Sequence, residues 1–299
     1  MSIKFGVIAE IHYSNGTVQS SLGNEYRQYS TADARLQDFL EVMEARGDVS
    51  FCLQIGDLID AGTGNRATDL AAVVNRYDTD YSGTVWNSLG NHENSLFPGT
   101  VGNKFSDYWT TMDTAARPGT RENEWDPDGK GVAAYTFDSS NIRFVSMFTG
   151  FGTTASQDGA SQAAWLTGVL TTSLPCVVFT HYPLGGMFPV SGYAAVQAIL
   201  EAAGNVQLVI NGHVHRSGIT GIHPLKYEYV NDILHYHCRA SVLGAEDGYS
   251  SDTATVADSA YYLFDLQHTA YLGDNQMRCN LTVTAYRKGL GKTQHTFRI

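Results

Sequence analysis

The chain has 299 residues, a formal net charge of −11, a 43% hydrophobic fraction and an 11% aromatic fraction. That apolar content is enough to bury a large core and excludes a disordered or fibrous chain. The acid excess, with no Lys/Arg cluster to offset it, disfavours nucleic-acid and anionic-membrane partners, and no run of about 18 apolar residues offers a membrane span.

A β-branched, apolar run at Ile3–Ala9 predicts a strand almost at the N-terminus, so a secretory leader is not expected. A helix is predicted where Leu36, Phe39, Leu40 and Met43 recur at i, i+3, i+4, i+7. Strands follow at Phe51–Ile55, Thr84–Leu89 and Ile142–Phe148. Ala163, Leu166, Val169 and Leu170 repeat the helical spacing, and Tyr193–Ala203 is a third helix candidate. Strands at Val177–Thr180 and Val206–Ile210 flank that third helix. Beyond residue 215 the helical period fades, and Ile233–Ala240, Ala260–Asp265 and Cys279–Tyr286 read as antiparallel strands joined by turns. Strands alternating with helices predict a layered α/β fold. No linker composition divides the chain, so 1–299 is expected to be a single domain. Cys52, Cys176, Cys238 and Cys279 form no C-x-x-C pair, and Cys52 and Cys176 lie in apolar runs. Reduced, buried thiols and a cytoplasmic location are expected.

Five polar clusters each follow a predicted strand: Glu10-Ile11-His12, Gly56-Asp57-Leu58-Ile59-Asp60, Gly90-Asn91-His92-Glu93, Thr180-His181, and Asn211-Gly212-His213-Val214-His215. Singly, each reads as a polar loop, a helix cap or a turn. Together they occupy the position where ligands collect in open α/β sheets, beyond the carboxyl ends of strands. Their residue types suit borderline divalent ions such as Mn, Fe, Zn or Ni. Glu10, His12, Asp57, Asn91, His181, His213 and His215 are the candidate ligands for two ions roughly 3.5–4 Å apart, bridged by one carboxylate. Glycines 56, 90 and 212 let the backbone turn sharply beside them. His235 and His237 would share one face of a strand, where they could bind metal or, more simply, pack at the surface or in the core. No nucleophile elbow is present.

This series resembles the calcineurin-like metallophosphoesterase superfamily, whose pattern is D-x-H, G-D-x-x-D, G-N-H-E/D, H and G-H-x-H. The match runs from residue 10 to 215. The resemblance implies an α/β fold of two mixed β-sheets flanked by helices, a layered metallophosphoesterase sandwich. It implies that Glu10, His12, Asp57 and His215 hold one metal, and that Asp57, Asn91, His181 and His213 hold the other. His92 would stand beside the scissile phosphate as proton donor or charge stabiliser, a task that suits histidine as a residue type because a free imidazole titrates at about 6.5. Asp60 would orient a ligand imidazole. The chain departs from the pattern at Glu10, where the family usually has aspartate, and this puts occupancy of the first metal position in question.

Phe5–Glu10, Tyr26-Arg27-Gln28-Tyr29, Leu53–Asp60, Ala164-Trp165-Leu166 and His181-Tyr182-Pro183 are similar to patches of the ADP-ribose/CDP-alcohol diphosphatase family. That narrower resemblance implies manganese-dependent hydrolysis of a nucleotidic pyrophosphate or phosphodiester, by a hydroxide held between two metals. Tyr26, Arg27 and Tyr29 then offer a phosphate clamp and aromatic faces for a base or ribose, or simply pack at the entry to the following helix. A phosphomonoesterase or protein phosphatase would use the same core, and a non-catalytic binding scaffold is the alternative from another class. Two divalent ions are expected as cofactors, Mn foremost, with Fe, Zn, Ni or Mg as alternatives. The expected partner is a small phosphate or nucleotide substrate.

Overall fold

The computed structural model describes residues 2–14, 20–22, 25–27, 31–60, 66–95, 104–117, 119–126, 131–148, 157–184, 193–213, 226–238, 260–271, 277–287 and 291–299. In chain order the first half contains β1 (Ser2–Ile8), β2 (Ser20–Leu22), β3 (Glu25–Arg27), α1 (Ala32–Arg46), β4 (Phe51–Ile55), α2 (Arg66–Asp80), β5 (Thr84–Ser88), α3 (Asn91–Ser95), α4 (Lys104–Met112), β6 (Glu122–Trp125), β7 (Ala134–Ser139) and β8 (Ile142–Met147). The second half contains α5 (Gln157–Leu170), β9 (Cys176–Thr180), α6 (Tyr193–Ala203), β10 (Val206–Asn211), β11 (Lys226–Val230), β12 (Ile233–His237), β13 (Ala260–Tyr271), β14 (Met277–Arg287) and β15 (Gly291–Arg298).

Two mixed sheets face each other. One has the order β15-β14-β13-β1-β4-β5 and the other β11-β12-β10-β9-β8-β7-β6, with β2 and β3 forming a separate pair. Their inner faces meet through aromatic rings. Phe5 stacks on Phe51 and Phe264 at 5.4 and 5.2 Å, and meets Phe144 of the opposite sheet edge-on at 5.4 Å. Tyr236 meets Phe264 at 5.2 Å in the same way. Rings at these separations add to the apolar area they remove from water. The helices close the outer faces. Leu36, Phe39, Leu40 and Met43 of α1 are all buried, as their spacing predicts, and the helix ends at Gly47, whose N–H returns to Glu44 O at 3.1 Å. On the other side Leu166, Val169 and Leu170 of α5 and Leu200 of α6 pack with Val145, Val178 and Val209.

The strands β1, β4 and β5 run parallel, as do β8, β9, β10 and β12. This parallel core brings the carboxyl ends of β1, β4, β5, β9 and β10 to the same rim. The C-terminal segment departs from its sequence reading in one respect. β13, β14 and β15 are antiparallel additions to the first sheet, but β12 is parallel to β10. The reversal is absorbed by β11, which pairs antiparallel to β12 at the sheet edge. Alternation of apolar residues reports burial and carries no strand direction. Among the described residues, no helix is long and apolar enough to cross a membrane, and all four cysteines are free and buried.

Candidate metal centre

Each of the five polar clusters begins where a parallel strand ends, and backbone hydrogen bonds lock the resulting loops to one another. Glu10 N–H donates to Gly56 O at 3.3 Å, His12 N–H to Asp57 O at 2.9 Å, and Gly212 N–H to His181 O at 2.9 Å. Glu10, His12, Asp57 and His213 all hold positive φ, at 54°, 46°, 49° and 64°. Non-glycine residues in that region cost on the order of 1–3 kcal/mol each and persist only where the surroundings fix them. Gly56, also at positive φ, leaves no space for a side chain, since a Cβ there would stand 2.5 Å from His181 Nδ1.

The loops bring two groups of donor atoms together, and Asp57 belongs to both. In the first, His12 Nε2 lies 3.3 Å from Glu10 Oε2 and 3.8 Å from Asp57 Oδ2. In the second, His181 Nε2 lies 3.4 Å from Asp57 Oδ2, 3.1 Å from His213 Nδ1 and 2.8 Å from Asn91 Oδ1. One donor atom from each of Glu10, His12 and Asp57 falls within 4.8 Å of the others, and the same holds for Asp57, His181 and His213. Glu10, His12, Asp57 and His181 are almost wholly buried. Carboxylates and imidazoles packed this closely, out of water, have the chemistry of a borderline divalent-cation site, and the residues fit such ions.

The electrostatics agree with that fit. Burial raises the Asp57 pKa and Glu10 adds to the rise, but His181 and His12 outweigh them and hold it at about 2. Burial lowers His181, yet the charges of Asp57 and Glu10 keep it well above its ordinary value. A positive charge is therefore favoured at this position, which a bound cation supplies in place of the proton.

Beside the first group stand Asp60 and His92. The Asp60 carboxylate lies between two imidazoles, 3.7 Å from His12 Nδ1 and 3.7 Å from His92 Nδ1. The two rings meet edge to face at 4.6 Å, and His92 Nε2 is turned towards Asp57 Oδ2 at 3.9 Å. His92 N–H donates to Asp57 Oδ1 at 2.8 Å, so the ring's backbone is anchored on the shared carboxylate.

Glu93 has a part that sequence reasoning missed. Its fully buried carboxylate accepts four backbone N–H groups, from Asp57 and Gly90 on Oε2 at 2.8 and 2.6 Å, and from Leu58 and Ile59 on Oε1 at 2.8 and 3.3 Å. Burial and the charge of Asp57 push its pKa up, while the N–H groups of Gly90 and Ile59 and the charge of His181 pull the other way. The signal in the sequence was an acid directly after the motif histidine. His237 is buried, in keeping with packing, and is also hydrogen-bonded, with Nδ1 2.6 Å from Asn211 Oδ1 and Nε2 2.8 Å from Glu228 Oε1. His235 is buried as expected.

His215 and Tyr29 lie outside the described residues. Tyr26 and Arg27 lie in β3, whose backbone pairs with β2.

The calcineurin-like phosphoesterase family model matches residues 3–217, most of the chain and all five clusters. The chain belongs to this family. It is therefore a metallophosphoesterase, a hydrolase of phosphoester bonds in a family that typically binds two divalent metals. Two solved structures support the metallophosphoesterase fold. A dimetal phosphatase from Danio rerio is 19% identical, with a TM-score of 0.65 and 99% of each chain covered. The purple acid phosphatase PPD1 from yellow lupin (Lupinus luteus) seeds is 15% identical, with a TM-score of 0.55, 100% of this chain covered and 54% of the other. No curated protein matches the sequence at a significant level.

Proposed function

We propose that this metallophosphoesterase hydrolyses a nucleotidic pyrophosphate or phosphodiester of the ADP-ribose or CDP-alcohol type, with Mn as its working metal. The observation that carries the metal chemistry is the position of Asp57, whose Oδ2 faces His12 Nε2 on one side and His181 Nε2 on the other. In this reading Glu10, His12, Asp57 and His215 hold one cation, and Asp57, Asn91, His181 and His213 hold the second. Bound there, two divalent cations neutralise charge growing on the phosphoryl oxygens and lower the pKa of water from about 16 to roughly 7.

The chain's own residues then divide the remaining work. His92 Nε2 carries the proton delivered to the departing oxygen. The Asp60 carboxylate faces His92 Nδ1 and favours the tautomer that keeps a proton there, so the ring stays aligned as Nε2 gives its proton up. Asp60 acts in the same way on His12 Nδ1, orienting its Nε2 towards the carboxylates. Burial of Glu10, His12 and His181 excludes water from behind the site.

The substrate reading rests on the patches shared with the ADP-ribose/CDP-alcohol diphosphatase family, and in it Tyr26, Arg27 and Tyr29 receive the nucleotide end. It is tested by assaying the purified chain with Mn on ADP-ribose, CDP-choline, a cyclic nucleotide and an aryl phosphate. Release of AMP and ribose phosphate from ADP-ribose is the expected result. Turnover of the aryl phosphate alone would overturn the substrate and favour a phosphomonoesterase. Absence of turnover on every compound, with two Mn bound, would favour a non-catalytic scaffold.

A further inference from the structure

Glu10 stands where the family usually has aspartate, and its carboxylate reaches beyond the first donor group. While Oε2 faces His12 Nε2 at 3.3 Å, Oε1 accepts the backbone N–H of His213 and lies 3.1 Å from His181 Nδ1. His213 and His181 belong to the second group. We propose that Glu10 is a strut between the two metal positions: one oxygen serves the first cation, and the other fixes His181 and His213 for the second. This rests on the two-metal reading given above and adds a positioning role that an aspartate could not fill.

Three features of the site argue for the strut. The first is tautomer control. His181 Nδ1 faces Glu10 Oε1 at 3.1 Å and Ile55 O at 3.3 Å, both acceptors, so its proton is held on Nδ1. The Nε2 lone pair is then left for a cation, among Asp57 Oδ2, Asn91 Oδ1 and His213 Nδ1. The second is space. Gly212 lies against the carboxylate, and a Cβ on it would stand 2.7 Å from Glu10 Oε1. The third is burial. Glu10 is wholly enclosed, so water cannot readily replace either contact. Spanning from His12 to His181 and His213 uses the methylene that aspartate lacks. With its backbone held at a φ of 54° and its N–H on Gly56 O, residue 10 has little freedom to advance and make up the missing length.

The test uses the full chain, stripped of metal and titrated with Mn²⁺ alone. Calorimetry and elemental analysis give affinity and stoichiometry, and electron paramagnetic resonance reports coupling between paired Mn ions. Wild type is expected to bind two Mn²⁺ and give a coupled signal. Glu10→Asp keeps a carboxylate for the first position but loses the strut. It is expected to bind one Mn²⁺ at near wild-type affinity and the other about 10–100-fold more weakly, the scale of losing a partner that orients a ligand, with the coupled signal lost at low Mn²⁺. Glu10→Gln keeps the reach to His213 N–H and His181 Nδ1 while weakening the first position, so it is expected to retain one ion without coupling. Gly212→Ala displaces Oε1 without altering Glu10, and is expected to weaken one ion as Glu10→Asp does; it decides the matter if Glu10→Asp does not fold. Two Mn²⁺ bound at wild-type affinity in both Glu10→Asp and Gly212→Ala would overturn the strut alone. Wild type that binds no Mn²⁺ would overturn the two-metal reading and the strut with it.

Discussion

Glu93 Oε2 accepts the backbone N–H of Asp57 at 2.8 Å, joining residues 36 positions apart in the chain. The same carboxylate holds Gly90, Leu58 and Ile59. It therefore fixes the loop that carries Asp57 against the loop that carries Asn91 and His92, and helps hold Asp57 at its positive φ. Glu93→Gln replaces one acceptor oxygen with an amide that donates, so two buried N–H groups face a donor. Each group left in that state costs about 1–3 kcal/mol. Urea unfolding is expected to register this loss, with Mn²⁺ affinity falling alongside; an unchanged midpoint would remove Glu93 from its bracing role.

Gly90 packs directly on the shared carboxylate. A Cβ at position 90 would lie 2.2 Å from Asp57 Oδ1 and 2.3 Å from Asp57 N, closer than any real contact. Gly90→Ala must therefore push Asp57 away from both donor groups. We expect a stability loss of about 1–3 kcal/mol, as for other overpacked sites, together with loss of Mn²⁺ binding. Retention of both ions at wild-type affinity would contradict the geometry.

His92 is expected to act on the reaction and not on the metals. Its Nε2 is turned towards the shared carboxylate and its Nδ1 towards Asp60. His92→Ala should lower kcat by about 100- to 10,000-fold, the usual worth of a general acid, while elemental analysis still finds two Mn²⁺ per chain. Unchanged kcat would take His92 out of the mechanism.

His235 gives the fold an acid sensitivity. It is fully buried on β12, and among the described residues neither ring nitrogen has a hydrogen-bond partner. Burial, and then the neighbouring His237, lower its pKa to about 4, while Glu228 and Glu201 act in the opposite direction. The folded state thus resists protonation that the unfolded chain accepts near 6.5. Its stabilising contribution is complete above about pH 6.5 and is lost as pH falls towards 4, by about 3 kcal/mol at full extent. His235→Leu should flatten stability against pH across that interval, as measured by urea unfolding at pH 7, 5.5 and 4.5. An identical slope in wild type and variant would refute the assignment.

The helical spacing of Leu36, Phe39, Leu40 and Met43, and the strand runs at Phe51–Ile55 and Val206–Ile210, made the layered α/β fold legible, because one-sided burial imposes a period on the chain. β7, α2 and the long edge strand β15 were not anticipated. Thr136, Asp138 and Ser139 interrupt the apolar run of β7, and exposed polar side chains alternate along β15, so their hydrogen bonding to neighbouring strands, more than their apolar content, defines them as sheet.

By itself the sequence determined which residues have the chemistry of cation ligands and that the clusters carrying them follow strands, since ligand chemistry and local hydrophobicity are written residue by residue. Tertiary structure alone decided what those residues do to each other. The direction of β12, the span of Glu10 from His12 to His181, the Asp60 carboxylate between two imidazoles and the N–H groups of Asp57, Leu58 and Ile59 on Glu93 all join atoms far apart in the chain. Such contacts depend on sheet order and on left-handed backbone angles at residues such as Glu10 and Asp57, which no local pattern of side chains encodes.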